Sequence, residues 1–236
     1  MSHYTVAVLT RKEQSVEDLL TPYDEAIDVA PYIDVKKEDA EKEIEEFLEK
    51  SPQYAKEYKG MTWAEQVMRY YGQEIDQDGN ILSTYNPNSK WDWYDIGGRW
   101  NNLLKTKDGQ KVNTCLLKDL DLSPDKEKYN DAVRFWEIIV EGQPLKDGEE
   151  EPFNWYKKEY YLERYKTKEN YAKVQSSFST YAILTDKGEW LESGRMGWFG
   201  VSFATNKEGK SWDENYQEIL KSMDKDLRIT IVDCHI

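Results

Sequence analysis

The 236 residues include 32 Lys and Arg against 46 Asp and Glu, a formal net charge of −14 with a pI near 4.7. Such a balance leaves no excess of cations to neutralise phosphates, which argues against direct nonspecific binding to nucleic acid or to an anionic membrane. Two cysteines (Cys115 and Cys234) and no apolar run near the roughly 18 residues of a membrane span point to a cytoplasmic protein with reduced thiols.

Hydrophobic residues make up only 39% of the chain, but aromatics reach 14%. Each large ring buries about 150–250 Å², so a full core can form from fewer apolar residues. His3–Arg11 alternates and is rich in β-branched residues, which predicts a strand with Val6 and Val8 on one face. A short amphipathic turn ends at Pro22. Lys36–Lys50 predicts a helix with Ala40, Ile44, Phe47 and Leu48 as its apolar stripe and its acids and lysines elsewhere. Thr62-Trp63-Ala64-Glu65 is a capping box, and Gly72 supplies a left-handed stop to the helix that follows it.

Asp78-Gly79 and Asp108-Gly109 are hairpin signals, and between them lies Asn86–Asn102, NPNSKWDWYDIGGRWNN, expected as a loop or a strand edge. Ser123-Pro124 reads as a helix start, with Tyr129, Ala132, Val133, Trp136 and Val140 inward and Gly142 as the end. Phe153–Lys173 has helical composition with seven aromatic residues, which fits a second layer on the core better than a lid or partner surface. Ser179–Thr185 is a strand with a return at Glu189–Leu191. Ser211-x-x-Glu214 is a second capping box opening a helix to Met223, and Arg228–Asp233 is a closing strand. Terminal strands persist when they pair within a sheet. The fold class expected is therefore α+β: one domain, 1–236, whose antiparallel or mixed sheet contains both terminal strands, with helices packed on it and residues 118–175 as a helical insertion.

Two segments combine Gly-Arg with tryptophan: Gly97-Gly98-Arg99-Trp100 and Gly194-Arg195-Met196-Gly197-Trp198. Glycine allows positive φ and close backbone approach. Arginine beside tryptophan stacks through cation–π attraction while its fork still reaches a carboxylate or phosphate. Trp91, Trp93, Asp95, Arg99, Trp100, Arg195 and Trp198 are thus the candidate ligand- or partner-binding residues, with Asp92 or Asp95 as an internal partner for the arginine. Trp91, Trp93, Trp100, Arg99 and Arg195 are expected to converge in space. The bland reading is an aromatic–arginine cluster that clamps two loops together. A shift of 96 positions also aligns Ser83-Thr84-Tyr85 and Gly98-Arg99 with Ser179-Thr180-Tyr181 and Gly194-Arg195, which reads equally as duplication or coincidence.

No catalytic residue, metal site or cofactor is assigned. CxxC, HxxxH and HExxH spacings are absent, as are a Walker loop, GxSxG, and GxGxxG after a strand. Asp233 and His235 share one face of the last strand, and His3 begins the first, so the two histidines meet if the terminal strands are antiparallel neighbours; strand-end residues without a role are the simpler reading. Cys234 and His235, adjacent on a strand, point to opposite faces and do not form a nucleophile–base pair.

The segments NPNSKWDWYDIGGRW, TYAILTDKGEW, GRMGWFG and ITIVDCHI, with the opening YTVAVLT and LLTPYDE, resemble an uncharacterised family of bacteriophage and prophage proteins. The motifs bring no catalytic role. The resemblance implies a virus-encoded accessory protein in the host cytoplasm. Its expected action is to bind and inhibit a host defence protein or nucleoprotein complex, such as a CRISPR effector, by presenting an acidic surface in competition with nucleic acid. The alternative is a binder or enzyme for a small anionic ligand such as a nucleotide, with Arg99 and Arg195 as the anion contacts.

Overall fold

The two ends of the chain are strands, and they pair with each other. A computed structural model describes residues 2–192, 212 and 216–236. Its strands, in chain order, begin with β1 (His3–Thr10), β2 (Tyr32–Val35), β3 (Ile81–Ser83) and β4 (Trp93–Ile96). Three short ones follow, β5 (Leu104–Lys105), β6 (Lys111–Val112) and β7 (Thr114–Leu116), then β8 (Ala182–Leu184), β9 (Trp190–Glu192) and β10 (Arg228–His235). The principal sheet runs β4-β10-β1-β8-β9, with β7 also on β10. β1 is antiparallel to β10 from His3↔His235 to Thr10↔Arg228, and parallel to β8. The sheet is mixed, helices pack on it, and the class is α+β.

Contacts divide the chain into two compact units, Pro22–Lys90 and the joined segments Met1–Thr21 and Trp91–Ile236. In the larger unit the register assigns each central side chain to a face. Ala7, Leu9, Ile183, Ile229 and Ile231 lie on one face and form a core with Tyr216 and Leu220 of the helix at residues 216–222. Tyr4, Val6, Val8, Val232 and Cys234 lie on the other and are also buried. Helix α1 (Val16–Leu20), capped by Ser15, packs against β1 and buries Leu19 and Leu20. A strand covered on both faces reads as a near-continuous apolar run, which is what YTVAVL is. The Ser211/Glu214 capping box lies outside the described residues.

The smaller unit contains the helices expected at Lys36–Gly72, here α2 (Lys37–Lys50), α3 (Ala55–Tyr58) and α4 (Trp63–Tyr71). Thr62 and Glu65 cap each other as the sequence dictates, and Gly72 takes φ +70°. These helices accompany a two-stranded sheet, β2-β3, and Ala40, Val67 and Ile81 form the unit's own small core. The Asp78-Gly79 turn closes with an Ile75↔Ile81 bridge.

The helical insertion comprises α5 (Lys126–Ile139), α6 (Lys158–Tyr165) and α7 (Lys168–Ser176). Two local expectations are corrected. α5 is capped by Asp125, whose carboxylate accepts from the N–H groups of Glu127 and Lys128, because the Ser123 hydroxyl is committed to Asp121. Phe153–Lys173 is not one helix: Lys166 takes φ +65°, and Thr167 caps a new helix by accepting from Asn170 N–H. Tyr161, Tyr165 and Tyr171 pack with Trp136, whereas Phe153 and Trp155 stay exposed.

Asp121 also pairs with Lys105 at 3.1 Å. Hydrogen bonds from Ser123, with Lys105 second, hold its carboxyl down at about 2. A carboxylate depressed in the folded state stabilises above its unfolded value near 3.9 and loses that contribution as pH falls through the folded value. Asp121→Asn is therefore expected to lower the urea midpoint at pH 6 and to narrow the gap from wild type as pH falls from about 4 to 2.

Candidate functional site

β4 sits at the edge of the principal sheet and pairs antiparallel with β10: Trp93 opposite His235, Tyr94 opposite Cys234, Asp95 opposite Asp233, Ile96 opposite Val232. β1 lies on the other side of β10, with His3 opposite His235 and Thr5 opposite Asp233. Side chains alternate along strands, and direct partners share a face. One face at this end of the sheet therefore presents Trp93, His235 and His3 in one row and Asp95, Asp233 and Thr5 in the next. The polar rows continue the face that further along carries Ala7, Leu9, Ile229 and Ile231.

Two histidine–carboxylate pairs result. His3 Nδ1 donates to Asp233 Oδ1 at 2.8 Å, and His235 Nδ1 donates to Asp92 Oδ1 at 2.5 Å. An ionised carboxylate only accepts, so each imidazole carries a proton on Nδ1, and in the neutral ring Nε2 is then the acceptor. The rings meet edge to face with centroids 5.1 Å apart. His235 Nε2 is buried without a hydrogen-bond partner, and His3 Nε2 has none among the described residues. A native buried polar atom without a partner is uncommon and calls for a specific cause.

Asp233 is the anchor. Its side chain is 2% exposed, and its second oxygen accepts from the backbone N–H of Arg99 at 2.9 Å. The double glycine makes this approach possible. Gly97 (φ +78°) and Gly98 (φ +44°) turn the chain out of β4 into the short 3-10 turn Gly98–Trp100. A Cβ on Gly98 would stand 2.4 Å from Asp233, and one on Gly97 would stand 2.5 Å from the Asn113 amide. Asn113 in turn accepts from Asn102 N–H and donates to Asn101.

The sequence-derived residues separate in space. Trp93 is 51% exposed, with its ring 6.1 Å from that of His3. Asp95 is exposed on the same face. Trp91 is buried, donates to the carbonyl of Leu20 and meets Tyr94 edge-on, while Trp100 packs against the apolar core. Trp91 and Trp93 thus do not converge, because β4 sends residues 93 and 94 to opposite faces and Trp91 packs on Tyr94. Arg99 reaches a carboxylate through its backbone; its exposed guanidinium forms no ion pair among the described residues, and Asp92 serves His235 instead. Arg195 and Trp198 lie outside the described residues.

His3, His235 and Asp233 were absent from the candidate set, although their shared face was readable from strand alternation; what identified them was the pairing of the two termini. Cys234 is buried on the opposite face, where burial pushes its thiol far up, and burial also raises Cys115, to about 11. Neither is an activated nucleophile. Among the described residues no group of three or more His, Cys, Asp or Glu gathers as a metal site, and no helix is long and apolar enough to cross a membrane. Comparison with protein-family models, with curated proteins and with solved structures found no match to this chain.

Proposed function

We propose that this end of the sheet is a binding and proton-transfer site for a small anionic ligand. One observation carries the reading: the buried Asp233 carboxylate holds both the ring of His3 and the main chain of Arg99, so an imidazole and the backbone of a cationic residue share one rigid anchor. Burying a carboxylate costs several kcal/mol unless it is well paired, and a fold that needed only apolar packing here would not require one. His3 Nε2 is the acceptor offered to the ligand, and the Arg99 guanidinium is the anion contact. The Arg99 guanidinium, which is exposed and forms no ion pair among the described residues, is the cation this reading assigns to the ligand.

Calorimetric titration with inorganic phosphate and with ribose 5-phosphate tests this. Wild type is expected to bind both. Arg99→Ala should weaken binding by about ten- to a hundredfold, as loss of a charged hydrogen bond does, with little change in melting temperature. His3→Gln should weaken it less. Absence of binding to wild type would overturn the reading.

A second reading rests on the net charge of −14 and on helix α2, whose acids outnumber its lysines. It is the inhibitor of a host defence component that the resemblance suggests, with carboxylates occupying a surface built for nucleic acid. Affinity purification from an infected host separates the two. A captured host protein whose retention is unaffected by Arg99→Ala supports inhibition, whereas a copurifying small anion without a protein partner removes it.

A further inference from the structure

We infer that the ligand carries a flat heteroaromatic ring as well as a phosphate, the chemistry of a nucleotide, and that Trp93 is the surface on which the ring stacks. The inference rests on the anionic-ligand reading above and adds the ligand's class to it. The three tryptophans of Asn86–Asn102 differ in what the fold asks of them. Trp91 is buried with its indole N–H satisfied by Leu20, and Trp100 is packed on the core, so both are accounted for by structure. Trp93 is not. It stands on the face that holds the histidines, directly opposite His235 in the register, and half its surface is open. Its ring contact among the described residues is the edge of His3 at 6.1 Å, and its indole N–H has no partner there.

The order of groups fits such a ligand. Trp93 adjoins His3, His3 is bonded to Asp233, and Asp233 is bonded to the main chain of Arg99. A stacking surface therefore stands at one end of the array and the main chain of Arg99, the residue that carries the cation, at the other, with the His3 ring between them. Base–aromatic stacking tolerates any base, because every base has a π-face. Ring identity would then be set by other contacts.

The test is calorimetric titration of the full chain with each of the four ribonucleoside 5′-monophosphates and with ribose 5-phosphate, which keeps the phosphate and lacks the ring. At least one nucleotide is expected to bind about 5- to 100-fold more tightly than ribose 5-phosphate. Trp93→Ala should reduce that nucleotide to the level of ribose 5-phosphate without altering the affinity for ribose 5-phosphate itself, and Trp93→Phe should restore most of the difference. Equal affinity for all five ligands, or a nucleotide preference that survives Trp93→Ala, overturns the ring-stacking inference and leaves the anion site standing. Failure of all five to bind wild type overturns both.

Discussion

A methyl group at position 98 is expected to cost about 3 kcal/mol of folding stability, a large share of what a domain has. Two effects combine in Gly98→Ala. A side chain at φ +44° is strained, and its Cβ would lie 2.4 Å from both Cβ and Oδ2 of Asp233. The obstacle cannot simply rotate away, because Asp233 is buried and bonded on both oxygens. Gly109→Ala is the internal control. Gly109 has φ +87° and nothing within 4 Å of the added carbon, so it should lose only about 1 kcal/mol through backbone strain. Urea denaturation of the two variants decides: equal losses would mean that the close approach to Asp233 is not what the double glycine serves. The prediction tests the structural half of the site alone, independently of any ligand.

Asp233 gives the second large effect, and two substitutions separate its roles. Asp233→Ala removes the acceptor of His3 and of Arg99 N–H together and should destabilise by about 3 kcal/mol, since each lost hydrogen bond to a charged group is worth about 1.5–3. Asp233→Asn keeps the shape. Its carbonyl can still accept from Arg99 N–H, while its NH₂ must donate to His3 Nδ1, which forces the imidazole proton onto Nε2. Stability should fall by only about 1 kcal/mol, yet Nε2 changes from acceptor to donor. If His3 acts as a base on the bound ligand, turnover falls by about 10²–10⁴-fold. Nitrogen chemical shifts of the His3 ring report the tautomer directly. An unchanged tautomer in Asp233→Asn would show that the carboxylate does not set the protonation of the ring.

The bland alternative for the GGRW motif is an aromatic–arginine clamp on a second loop, Gly194–Trp198, which lies outside the described residues. Trp91 and Trp100 do stabilise loops by packing, and the double glycine lets the chain press against a carboxylate. The Arg99 guanidinium takes no part in a clamp among the described residues, since the bond that fixes its segment comes from its backbone. Arg99, and Trp93 of the preceding strand, have side chains that form no hydrogen bond or ion pair among the described residues.

Much of the fold was determined by local sequence. The α4 capping box and the αL stop at Gly72 are interactions among neighbours within a few residues, and the Asp-Gly turns form because one residue type tolerates positive φ. Alternation in HYTVAVLT and RITIVDCH likewise assigned faces before any partner was known. The start of α5 was misread because Ser123 and Asp125 both suit a cap, and which one is used depended on where the Ser123 hydroxyl finds its acceptor. The site was decided by tertiary structure alone. Asp233 and His3 are 230 positions apart, Asp92 and His235 143, and Arg99 reaches Asp233 across 134. Register between strands so distant is set by burial of the whole sheet, a collective property that no short window of sequence contains. The motif showed that something at Gly97–Trp100 needed close approach; only the pairing of the two chain ends showed that what it approaches is a carboxylate holding a histidine.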